Sequence, residues 1–456
     1  MIMKEILERF LRESPICVMS RVLLENIFAP DKLDRVFETA AKRQYTRELL
    51  FSTTVDLMSL IVCRVHPSVG AAYTARKKQI PVTVRALYDK LNHVEPETSR
   101  ALVRHTNQET TTLIQDMGGE CTALLPGYRC WILDGNHLGG TEHRLESLRR
   151  LGAGALPGLA LAVLNPQTMT IADVIPCEDG HRQECTLLEP LLDTVQARHV
   201  WIADRHFCIS AFLFGLWQRD SYFVIRQHAG HLVWRVQGQK RACGRCRSGR
   251  VYEQEVVLTD PKTGQERIAR RISIRLNQTT RNGDKELYIL SNLPPSVADA
   301  VCIATLYSRR WTLETAFQEL TTHLRCELNT LGYPPAALFG FCVAAACYNI
   351  LAAVKGALRA AHGEDKVHEE VSNYYLTDEI HGTYRGMMIA LPAVEWQPFQ
   401  TWRQRELARA LVKWARQIDL SAYPKHKRGP KNPRPRRAPA RHQHVATARL
   451  LREPTG

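Results

Sequence analysis

Val200-Trp201-Ile202-Ala203-Asp204-Arg205-His206-Phe207-Cys208 is the stretch on which the fold turns. An apolar run too short for a helix leads straight into an acid, the mark of a short buried strand. The same pattern occurs upstream, where Arg129 to Leu133 reads as a strand ending at Asp134. Parallel neighbours would place both acids at one sheet edge, and the carboxyl ends of strands in α/β sheets are where ligands bind. An Asp at a strand exit can simply start a turn. Two of them in this context favour a site.

Outward from these strands, Pro157–Leu164 and Met169–Ile175 are expected as strands around the turn Asn165-Pro166-Gln167. Gln183–Gln196 and Ser210–Gln218 are expected as helices, and Tyr222–Arg226 as a further strand. Residues 119–227 therefore read as the first part of an α/β core. In 228–292, alternating apolar segments separated by Asp260-Pro261, Lys262-Thr263-Gly264 and Asn282-Gly283-Asp284 predict an all-β insertion. Helices resume at Val297–Tyr307, Thr312–Arg325 and Pro335–Leu358, making 293–362 the second part of the core. Residues 1–118 are helical by periodicity. Within them, Pro81–Asn92 and Pro96–Gly118 could form a helix–turn–helix that reads DNA, or part of an ordinary helical bundle. Residues 363–423 form a C-terminal helical region. The overall expectation is an α+β multidomain chain.

Charge places the partner. The 456 residues carry a net charge of +15, yet residues 420–456 alone hold ten Lys/Arg and one acid. The preceding part is nearly balanced, at +6. The Pro-rich tail 424–456 is expected to be disordered when free. Its run from Lys425 to Arg441 holds eight Lys/Arg and no acid, which suits a polyanion. Lys425, Lys427 and Arg428 are the first candidates for phosphate contacts. No run of apolar residues reads as a membrane span, and the start lacks the plan of a signal peptide. Thirteen scattered cysteines suit a reducing compartment.

A third carboxylate stands in Tyr307-Ser308-Arg309-Arg310-Trp311-Thr312-Leu313-Glu314, where helical spacing aligns Tyr307, Arg310 and Glu314 on one face. Three converging carboxylates repel one another without cations. Two Mg²⁺ ions about 4 Å apart would neutralise them and clamp both oxygens of an in-line phosphoryl displacement.

Together, the strand ending in Asp134-Gly135-Asn136, the segment Ile202 to Cys208, and Tyr307-x2-Arg310-x3-Glu314 resemble the DDE transposases of the insertion sequence 4 family, in its Tyr-Arg-Glu-Lys signature subgroup. The resemblance covers roughly residues 10–435. It implies a ribonuclease-H-like core interrupted by the β insertion, and cut-and-paste movement of a DNA element between its terminal inverted repeats and a target DNA. Asp134, Asp204 and Glu314 would then be catalytic and hold two Mg²⁺ ions, for which Mn²⁺ can substitute. Tyr307 and Arg310 would contact the phosphate near the cleaved end, and Trp234 is the candidate to stack a flipped base. The Lys of the signature is Thr321 here, and Arg325, one turn further on, is the residue able to supply its charge. Holding both element ends implies a homodimer in a synaptic complex. The expected place is the bacterial cytoplasm, at the nucleoid. A catalytically inactive DNA-binding descendant and a ribonuclease-H-like nuclease are the alternatives.

Overall fold

The computed structural model describes residues 2–44, 48–139, 145–149, 154–228, 230, 232–280, 283–426 and 444–452. The strands in chain order are β1 (Arg129–Leu138), β2 (Gly154–Leu156), β3 (Gly158–Asn165), β4 (Thr170–Cys177), β5 (His199–Ala203) and β6 (Tyr222–Arg226). After them come β7 (Val233–Val236), β8 (Arg241–Cys246), β9 (Gly249–Thr259), β10 (Glu266–Leu276), β11 (Glu286–Ser291) and β12 (His444–Ala446). One mixed sheet runs β4-β3-β1-β5-β6-β11-β10-β9-β7, with β8 paired to β9.

The parallel pairing expected from the opening stretch is present. β5 lies parallel between β1 and β6, and Leu133 stands opposite Ala203. Asp134 and Asp204 follow this pair directly. Their strands differ from the expectation in one respect. β1 does not end at Asp134 but continues to Leu138, because its other edge stays paired to β3 as far as Leu138 opposite Gly158. The strands of 228–292 do not stand apart from the core sheet. They extend it, since β11 pairs antiparallel with β6.

A single helix, Pro334–His362, organises the packing. It is long and apolar enough to cross a membrane, yet 94% of its most apolar window is buried inside the fold. Helix Pro96–Met117 packs along it and over β4. The apolar core on this side of the sheet runs from Ile16 to Tyr423, so the helical segments at both ends share it with the sheet. A second apolar cluster, with Trp201, Phe212 and Phe223, fills the other face.

Polar groups inside this core are matched in pairs. β4 bulges against β3 between Val163 and Leu164. On the open edge of β4, buried Asn349 accepts from the Ile171 amide at 2.7 Å and donates to its carbonyl at 2.9 Å. A side chain thus completes the ladder where no further strand follows. Arg100 and Arg104 of helix Pro96–Met117 each grip Asp173 of β4 with two hydrogen bonds of 2.7–3.0 Å. That helix is thereby fixed to the sheet, and its arginines are spent on the interior. This favours the bundle reading over a recognition helix.

Three local expectations change. Gln183–Gln196 is not one helix: Pro190 lacks an amide and disfavours helix before it, leaving a 3₁₀ turn at Glu184–Leu187 and a short helix at Glu189–Leu192. The segment expected as Thr312–Arg325 stops at Thr322. Two described pieces of the tail, 424–426 and 444–452, pack on the fold, and the rest of it lies outside the described residues. Lys425 donates from its amide to Glu370 O, and His444–Ala446 adds β12 to β2 before a helix at Thr447–Arg452. Arg449 closes this end with an ion pair to Asp179 at 2.8 Å.

Burial raises the Asp173 carboxyl, but the hydrogen bonds from Arg100 and Arg104 outweigh it and hold the pKa below its usual value of 3.8. Its stabilising contribution is therefore present above that value and is lost as pH falls through the depressed one. Asp173→Ala leaves the buried Arg100 with only a long ion pair, 3.8 Å, to the exposed Glu97. It is expected to cost about 3–5 kcal/mol in urea denaturation at neutral pH, and the loss should shrink toward acid pH.

Candidate active site

The site is built from two sheet strands and one helix junction. β1 and β5 bring Asp134 and Asp204 side by side. Tyr307 ends helix Ala300–Ser308, and the chain turns at Arg309 and Arg310 before helix Trp311–Thr322 begins. Tyr307, Arg310 and Glu314 are therefore not on one continuous helix, as the spacing suggested. They converge across a helix–helix junction instead. Glu314 lies in the first turn of the second helix, where the helix dipole favours a negative charge.

Arg310 is the centre of the arrangement. Its Nη1 donates to Asp134 Oδ2 at 3.1 Å and forms an ion pair with Glu314 Oε1 at 2.5 Å. The guanidinium is 8% exposed and lies 5.1 Å from the Trp311 ring, itself 62% exposed. The Tyr307 hydroxyl donates to Asp204 Oδ1 at 3.4 Å. Burial and the charge of Asp204 push the Tyr307 phenol up, so it stays protonated and acts as a donor. Burial would lower the Arg310 pKa, but Tyr307, Glu314 and Asp134 more than offset it, and the guanidinium keeps its charge. Its buried Nε has no partner.

A fourth carboxylate is present that periodicity did not single out. Glu184, on the 3₁₀ turn, lies against Gly135: a Cβ on that glycine would come within 2.2 Å of Glu184 Oε1. Glu184 Oε1 is 3.7 Å from His137 Nε2, and its Oε2 is 4.0 Å from His206 Nδ1. The available signal was Gly135 itself, a residue without a side chain directly after the acid. The expected long helix would have carried Glu184 elsewhere.

Asp134 feels this crowding. Burial raises its pKa to about 7; Arg310 and the Gly135 amide oppose the rise, while Glu184 and Glu314 add to it. Asp134, Asp204 and Glu314 act on one guanidinium, and Glu184 adds a fourth acid beside Asp134, so carboxylates outnumber it. An all-oxygen donor set of this kind fits a hard divalent cation. Among the described residues no three His, Cys, Asp or Glu side chains stand together at ligand spacing. Arg310 occupies the space between Asp134 and Glu314 and would have to give way to an ion shared by them.

The remaining candidates lie apart. Trp234 is on β7, with five strands between it and β1 in the sheet order, and Arg271 covers its ring at 5.0 Å. Arg325 is beyond the end of the Glu314 helix rather than one turn along it, and Thr321 is exposed on the last turn. The Lys425 ammonium donates to the His368 carbonyl at 2.6 Å. Lys427 and Arg428 lie outside the described residues.

Residues 126–350 match the family model of the transposase DDE domain, a span that holds Asp134, Asp204, Glu184, Tyr307, Arg310 and Glu314. The match supports a DDE transposase. No curated protein matches the chain.

The Asp134 carboxyl, raised from 3.8 to about 7, binds a proton in the fold that it lacks when unfolded. It therefore costs stability increasingly as pH rises through that window. Asp134→Asn should raise the melting temperature of the metal-free protein by about 2–5 °C at pH 8. The gain should grow between pH 4 and about 7 and level off above. A loss of stability at pH 8 would contradict the burial argument.

Proposed function

We propose that this chain is a DDE transposase of the insertion sequence 4 type, which cuts DNA at terminal inverted repeats and joins the freed end to a target. The observation that carries the reading is the convergence of Asp134, Asp204 and Glu314 through Arg310 and Tyr307, inside the span that matches the DDE domain. Asp134, Asp204 and Glu314 would hold two Mg²⁺ ions, or Mn²⁺ in their place. Bound there, the ions supply an activated water or 3′-hydroxyl and stabilise the leaving oxygen.

The chain's own residues account for the rest. Asp134 and Asp204 are fixed by strand register, so their separation does not depend on loop conformation. Arg310 holds Asp134 and Glu314 in place before substrate arrives. A DNA phosphate offers the same guanidinium a better-matched pair of oxygens. Arg310 can therefore pass from the carboxylates to the phosphate as cations take over the acids. Tyr307 keeps Asp204 oriented through its single hydroxyl proton. Apolar packing around Leu133 and Ala203 excludes water from the rear of the site.

A homodimer holding two element ends, a ribonuclease-H-like core and a place at the bacterial nucleoid belong to this proposal. Thr321, exposed where the signature has Lys, favours a second reading: a DNA-binding descendant that no longer cuts. Cleavage separates the two. Purified protein with Mg²⁺ and DNA carrying the inverted repeats that flank the gene should nick the repeat ends and yield joined donor–target product. Asp134→Asn, Asp204→Asn and Glu314→Gln should each lower cleavage by about a thousandfold, the equivalent of several kcal/mol of transition-state stabilisation, with DNA binding little changed. Binding without cleavage by the unaltered chain would select the inactive reading, and cleavage without joining would select a nuclease.

A further inference from the structure

The loop after helix Phe51–Val62 and the chain leaving the Glu314 helix are stitched together reciprocally. The Arg325 amide donates to the Val62 carbonyl at 2.9 Å, and Arg325 Nη1 donates to the Pro67 carbonyl at 2.6 Å. From the other side, Arg64 Nη2 donates to the Thr322 carbonyl at 2.7 Å. Arg64 adopts a left-handed backbone, φ 58°, uncommon for a residue with a side chain. Two guanidiniums from distant parts of the sequence thus line one recess of about 390 Å³, together with Thr321.

Two like charges held at one recess repel each other. Burial and the charge of Arg325 both lower the Arg64 pKa. His323 and His381 are also within electrostatic reach of Arg64 and add no negative charge. The acid in the lining, Glu327, accepts from the Gly139 amide at 3.2 Å. Each arginine commits one of its five N–H donors to the stitch. The remaining N–H groups are of the kind that pair with the oxygens of a phosphate.

We propose that Arg64 and Arg325 form a phosphate-binding recess that takes a backbone phosphate of the DNA strand whose end lies at the carboxylates. The inference rests on the transposase reading and extends it. Thr321 is seven residues beyond Glu314 on one helix, about 10 Å at 1.5 Å of rise per residue. That is roughly three nucleotide steps at 3.4 Å per step along a strand. The recess then supplies, from the N-terminal helical region and the end of the Glu314 helix together, the charge that Thr321 lacks.

The test is fluorescence anisotropy of the full chain with a labelled duplex of about 30 base pairs in EDTA, between about 50 and 200 mM salt. The double variant Arg64→Gln/Arg325→Gln should flatten the slope of log K against log salt by about 1–2 units. Thr321→Glu, exposed on the rim, places a negative charge beside both arginines without touching the stitch, and should flatten it as well. It also answers the case in which the double variant does not fold. Arg405→Gln, on an exposed position of helix Gln404–Ala415, is the control. An unchanged slope in Thr321→Glu, or an equal loss in Arg405→Gln, overturns the recess while leaving the transposase reading intact. Failure of the unaltered chain to bind the duplex overturns both.

Discussion

Everything at the functional end of this protein depends on one buried guanidinium shared between two partly buried carboxylates. Strand register forces Asp134 and Asp204 together, and the helix junction adds Glu314. Without a cation the cluster would be strongly unfavourable. Arg310 supplies that cation from within the chain, and the Asp134 pKa of about 7 shows that one guanidinium does not fully offset the burial and crowding. The deficit that remains is the physical basis for expecting metal. The protein carries a destabilised site on a rigid frame, a common relation between stability and function.

The frame explains how such a site is tolerated. The central helix Pro334–His362 is buried along its length, and its Asn349 satisfies the open edge of β4. Arg100 and Arg104 lock the N-terminal helices to the same strand through Asp173. Positive charge near the site is then arranged in tiers. Arg310 sits inside the carboxylates, and Arg64 and Arg325 meet beyond the far end of the Glu314 helix. The tail, with its many bases, is anchored at Lys425 and again from His444 onward. A DNA strand entering the acidic site would meet cations on its flanking phosphates, which offset the repulsion between the strand and the acids.

Much of this was legible in the sequence. The two strand-terminal acids, the Tyr307-x2-Arg310-x3-Glu314 spacing and the buried nature of the apolar segment around Ala344 follow from short-range pattern, and the structure brings those residues together. Patterns failed where a single residue or a distant partner overrides periodicity. Pro190 broke the expected helix, and the turn that replaced it delivered Glu184 to Gly135. The attachment of the β-rich segment to β6 was not legible, because strand alternation does not reveal which edge a strand will join. The helix–turn–helix option looked open because a sequence cannot show that Arg100 and Arg104 face Asp173 rather than solvent.

The sequence by itself determined which side chains could do chemistry and the local elements that carry them, because strand and helix patterns are set by neighbours within a few residues. Only the tertiary structure decided which of them meet. Register placed Asp134 beside Asp204, Arg310 bridged acids 180 residues apart in number, and Arg64 came to stand beside Arg325. Such contacts are fixed by the packing of whole layers and by the pairing of buried polar groups such as Asp173 and Asn349. Neither is a property of any short stretch of chain.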